Sequence, residues 1–208
     1  MTIKEFLVDW IWNIEFLMKQ KSTENPERKF SDYHLIDFLS GKVETLGKIL
    51  SCSPLVAEDK NVSRSTFSYA ILKLDSFNEY RNFITIKNRP PNPKKKQNDI
   101  VDHIRDIKQK ETVNNKLDEV INLLELRRGK SVQLDFYSDF RCSFQHISRP
   151  TKMIKYDSTI HPFLYDNGKW KLSTYRFAQD FINAIYEIVN TKDKLLKSYI
   201  NGQFLNIV

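Results

Sequence analysis

Arg141 and His146 are the two side chains whose types and spacing suit chemistry. They lie five positions apart in the stretch Tyr137-Ser138-Asp139-Phe140-Arg141-Cys142-Ser143-Phe144-Gln145-His146-Ile147-Ser148-Arg149. Arginine stays charged at neutral pH and presents a planar fork of donors to anionic oxygens. Histidine titrates near neutrality and serves as acid or base. A fixed cation beside a proton carrier can stabilise developing negative charge while protons move, and that chemistry requires no metal ion. Asp139 is placed by spacing to orient an imidazole at position 146. Ser143 is placed to hydrogen-bond a phosphate. On an ideal α-helix, at about 100° per residue, Arg141 and His146 point about 140° apart. A working pair therefore needs a loosened helix end or a second chain.

The elements that hold this stretch read as helices. The chain has 208 residues, 40% hydrophobic and 12% aromatic, enough for a single domain with its own core. Only 5 residues are Gly, which favours helices over a turn-rich β fold. Net charge is +7 with a pI near 9.2, so acidic partners are expected, nucleic acid first. Glycine-rich phosphate loops and an HExxH pattern are absent, and His34, His103, His146 and His161 are scattered. Cys52 and Cys142 form no CxxC, so no disulfide framework, metal site or cofactor is implied, and the cytoplasm is the expected compartment. The first apolar run is interrupted by Lys4, Glu5, Asp9 and Glu15 and reads as neither signal peptide nor membrane span.

Apolar residues recurring every three to four positions predict helices over 3–20, 31–50, 63–86 and 99–128, with Thr2 and Glu5 at capping-box spacing. Gly41 and Gly47 suggest close helix packing in the second of these. Arg89-Pro90-Pro91-Asn92-Pro93 and the three lysines after it, at about 89–97, read as an exposed linker. A further helix over 131–148 carries the opening stretch and stops before Pro150. Phe163 to Leu172, around Asp166-Asn167-Gly168-Lys169, reads as a β-hairpin. Ser173 opens a last helix, continuing or restarting after Asn190 to Gly202. The fold class expected is all-α: a helical bundle with one small hairpin near residues 163–172.

Arg141-Cys142-Ser143-Phe144-Gln145-His146 resembles the RxxxxH signature of the HEPN family, helical domains of prokaryotic toxins, phage-defence systems and RNA-cleaving effectors. The family usually carries a polar residue, often Asn, directly after the arginine, where this chain has Cys142. The resemblance implies a metal-independent endoribonuclease that transfers the 2′-hydroxyl of RNA, with Arg141 and His146 catalytic. Asp139, Ser143 and Arg149 would support it. It also implies a homodimer with both motifs facing one cleft, and an antitoxin or other protein partner. Two other classes fit the same residues: a non-catalytic helical module binding RNA or protein, and a structural dimer in which Arg141 bonds an acid on a neighbouring helix.

Overall fold

The computed structural model describes residues 2–23, 30–51, 60–86, 105, 115–142, 154–157, 161–191, 197–200 and 203–206. α1 (Ile3–Thr23) begins at the predicted cap. The Thr2 N–H donates to Glu5 Oε2 at 2.7 Å, and the Glu5 N–H donates to Thr2 Oγ1 at 3.2 Å. Two end donors are thus satisfied reciprocally. α2 (Phe30–Ser51) and α3 (Lys60–Lys73) follow. They approach so closely at Gly47 that an added Cβ would lie 1.8 Å from the Thr66 carbonyl oxygen. Gly47 is therefore required by packing.

The helix predicted over 63–86 is broken. α3 ends at Lys73, Leu74 is extended (φ −80°, ψ 131°), and a 3-10 helix covers Asp75–Phe83. Tertiary bonds overrule the local periodicity here. The N–H groups of Asp75 and Ser76 donate to Glu187 at 2.9 and 2.7 Å. Tyr80, further along the same segment, donates its hydroxyl to Asp180 at 2.9 Å. α4 (Asn115–Glu125) lies in the second half of the long helical pattern. It ends just before Arg127-Arg128-Gly129, where Gly129 adopts φ +67° and donates its N–H to the Ile86 carbonyl at 2.9 Å. The expected linker at about 89–97 lies outside the described residues.

The segment after α4 departs from the expected 131–148 helix. Residues 131–135 are not helical, and Tyr137–Cys142 wind as a π-helix. Residues 143–150 lie outside the described residues. The predicted hairpin forms: β2 (Phe163–Asp166) pairs antiparallel with β3 (Lys169–Ser173). Its turn residues Asn167 and Gly168 both take positive φ, 49° and 76°, which is why Asn-Gly marks such turns. β1 (Ile154–Asp157), which periodicity did not reveal, pairs parallel with β3 and extends the sheet to the order β1-β3-β2.

β3 runs directly into α5 (Thr174–Val189), whose N-cap Ser173 accepts the Arg176 N–H at 3.2 Å. The helix expected to reach Gly202 is not formed. β4 (Lys197–Ile200) and β5 (Gln203–Asn206) pair antiparallel instead. Ile200 partners Gln203, leaving the dipeptide Asn201-Gly202 between the strands, a strong hairpin signal that helical periodicity masked. The chain is thus mainly helical with small β elements, and no described helix is long and apolar enough to cross a membrane.

The core is aromatic where the Arg141 segment meets the helices. Phe136 and Phe140 stack at 4.6 Å between ring centres, and Phe140 meets Phe177 of α5 edge-on at 5.1 Å. Phe67 of α3 packs edge-on against Phe136 at 5.7 Å. Burial of Phe136 and Phe140, about 1.5–3 kcal/mol each, pins the π turn to α3 and α5. That fixes the direction from which Arg141 leaves the backbone.

Candidate functional site

Arg141 extends from the π turn onto α2. Its Nη2 donates to Glu44 Oε2 at 2.6 Å, with both side chains largely buried. The other Glu44 oxygen accepts from Lys48 Nζ and from Ser63 Oγ, each at 2.8 Å. Burial opposes the charge on Glu44, but the bond and charge of Lys48, then Ser63 and Arg141, outweigh it. They hold the carboxyl below its ordinary range. Burial likewise opposes the charge on Arg141, and Glu44 and Tyr137 overcome it, so the guanidinium is held all the more firmly charged. The Arg141 Nε is buried with no acceptor among the described residues.

A second arginine lies alongside. Arg64 of α3 bonds the Asp135 carboxylate, the Thr85 carbonyl at 3.2 Å and Ser138 Oγ at 3.4 Å. Arg64 and Arg141 both lie over the Tyr137 ring, 5.2 and 5.6 Å from its centre. Such cation–π contacts contribute about 0.5–2 kcal/mol each, more when desolvated. Burial raises the Tyr137 pKa; Arg141 opposes that shift, while Cys142 and Glu44 add to it.

The winding matters for the motif. A π-helix is closed by i→i+5 bonds, so residues five apart share a face. Tyr137 and Cys142 are five apart and interact through phenol and thiol. Arg141 and His146 have the same separation. Asp139 serves its own segment: its Oδ2 accepts the Asp135 N–H at 2.9 Å, while its N–H donates to the Asp135 carbonyl at 2.7 Å. His146, Ser143 and Arg149 lie outside the described residues.

Sequence reading did not find Glu44, Arg64, Asp135 or Tyr137. Glu44 left one trace, an acid on the packed side of α2, three residues before the close-approach Gly47 and four before Lys48. Arg64 and Asp135 left none, because their pairing spans 71 positions. Among the described residues no group of three His, Cys, Asp or Glu side chains is placed to hold a metal ion. No protein-family model, no curated protein and no solved structure matches the chain.

Proposed function

We propose that the chain is an endoribonuclease of the HEPN type, a toxin or phage-defence effector acting on cytoplasmic RNA without a metal ion. The 2′-oxygen of one ribose attacks the adjacent phosphorus and the 5′-oxygen of the next nucleotide leaves, giving a 2′,3′-cyclic phosphate and a 5′-hydroxyl. His146 handles the proton, as base for the 2′-hydroxyl or as acid for the leaving oxygen. Arg141 neutralises the charge that builds on phosphorus. Asp139, Ser143 and Arg149 are supporting residues. An antitoxin or other protein would restrain the activity in the cell.

The supporting observation is the π winding of Tyr137–Cys142. That winding carries Arg141, the first residue of the RxxxxH spacing. Such bulges are also frequent at functional sites. The experiment is incubation of the purified chain with structured RNA in the presence of a chelator. His146→Ala is expected to lower cleavage by about 10²–10⁴-fold with an unchanged melting temperature. A wild-type chain that leaves RNA intact, or a variant that cuts as well as wild type, would sink the reading.

One observation favours a second reading, a structural protein without catalysis: Glu44, an acid on a neighbouring helix, already engages Arg141 from within the fold. A chain that neither cuts nor binds RNA would select it, whereas salt-dependent RNA binding with no cleavage product would point to a non-catalytic binding module.

A further inference from the structure

The Glu44–Arg141 contact is lopsided. Arginine–carboxylate pairs frequently close with two parallel bonds. Here Nη2 alone reaches Glu44, at 2.6 Å, and the buried Arg141 Nε has no acceptor among the described residues. The other Glu44 oxygen is already taken by Lys48 Nζ and Ser63 Oγ, at 2.8 Å each. The two partners therefore depend on each other unequally. Without Arg141, Glu44 keeps a cation and a hydroxyl. Without Glu44, Arg141 keeps, among the described residues, the face of the Tyr137 ring 5.6 Å away.

We propose that Glu44 is an autoinhibitory latch: its carboxylate holds Arg141 where an RNA phosphate would, and RNA binds by displacing it. The proposal rests on the nuclease reading, which makes RNA phosphate the anion that Arg141 meets. The exchange is chemically matched. Carboxylate and phosphate oxygens both accept from a guanidinium, and phosphate offers enough of them to take Nε beside Nη2. The donor left unused in the resting state is thus satisfied in the bound one.

The exchange also avoids the usual obstacle to opening a buried ion pair, which is the charge left behind. Lys48 lies four positions after Glu44 on α2, is partly exposed, and stays paired with it when Arg141 departs. Ser63 holds the same oxygen from α3. Arg141 in turn keeps its attraction to the Tyr137 ring whichever anion it meets. A contact serving structure alone gives no reason for the carboxylate to be so fully provided for on its other side.

A 2′-O-methyl RNA strand, whose blocked 2′-oxygen cannot attack, tests the latch without cleavage. On the unaltered chain, the Arg141 Nε–H NMR resonance is expected to shift in step with RNA binding. A resonance that stays in place while RNA binds, or a chain that binds no RNA, overturns the latch. In fluorescence anisotropy, Glu44→Gln removes the competing charge and should tighten binding about tenfold. That gain should vanish in an Arg141→Ala background. Equal or weaker binding by Glu44→Gln, or a gain that survives the loss of Arg141, also overturns it. The NMR measurement needs no variant, so it decides the question if Glu44→Gln fails to fold. The nuclease reading fails separately. Unmodified RNA that binds, shifts the Arg141 resonance and stays intact sinks cleavage and leaves the latch standing. RNA that is cut while Glu44→Gln leaves its affinity unchanged sinks the latch alone.

Discussion

Glu44 and Asp180 are both buried carboxylates on helices, yet they are displaced to opposite sides of the ordinary carboxylate range. Burial raises the pKa of each. At Glu44 two cations and a hydroxyl converge, and the net result is a lowered pKa. At Asp180 burial prevails and the pKa is raised, although Tyr80 donates at 2.9 Å and Arg176 pairs at 3.0 Å. The difference lies in the charged neighbours: Lys48 and Arg141 both lower Glu44, whereas Asp180 has Arg176 on one side and the Glu79 carboxylate, which adds to the rise, on the other. Arg141 is largely buried beside Glu44, while half of the Arg176 side chain lies in water, where its charge is screened. Depth alone does not set the direction in which a buried acid is displaced; the balance of its charged neighbours does.

The largest effect expected from breaking this contrast is at Glu44. Glu44→Ala leaves Arg141 buried without its counter-ion and should cost about 3–5 kcal/mol in denaturant unfolding. Asp180→Ala, which orphans mainly the Tyr80 hydroxyl, should cost about 1–3 kcal/mol. Equal costs would remove the distinction between the two sites. Next is Tyr80→Phe, which takes one donor from Asp180. It should cost about 1 kcal/mol and move the carboxyl further upward, as read by NMR titration.

The pH response sharpens the contrast further. The folded pKa of Glu44 lies below its ordinary value of 4.5. Its contribution is therefore fully present above 4.5 and is lost as pH falls through the folded value. Asp180 runs the other way. Its folded pKa lies above the ordinary 3.8, so its contribution is full below 3.8 and is lost as pH rises through the folded value. Melting curves of Glu44→Gln should consequently show a shallower acid-side loss than wild type. Asp180→Asn keeps an acceptor for Tyr80 and should stay within about 1 kcal/mol of wild type at neutral pH, the smallest of these effects. An acid limb unchanged in Glu44→Gln would show that other carboxylates carry the acid response.

The legible parts of the chain were those with local causes. The Thr2–Glu5 cap, the Asn167-Gly168 turn and the Ser173 cap each depend on residues within a few positions, and all three form as read. The misread parts were those where a distant group competes with local propensity. Glu187 captures two backbone N–H groups of the 3-10 segment from more than 100 positions away and replaces a helix that periodicity supported. At the C-terminal end, apolar spacing compatible with a helix concealed the strand pair β4–β5. The Asn201-Gly202 dipeptide was the better guide.

The candidate site divides the same way. Sequence by itself determined which chemistry is available: a permanent cation and a titrating imidazole five positions apart, on a basic and mainly helical chain. Only the tertiary structure decided how the arginine is held. Aromatic packing of Phe136 and Phe140 anchors the segment, and the Asp135–Asp139 contacts hold its first turn. Over Tyr137–Cys142 a π winding takes the place of the expected α winding. Glu44, 97 positions earlier, then supplies the charge that keeps Arg141 in place. Local pattern specifies residue type and period, but the partner of a buried charge is chosen by which helices meet.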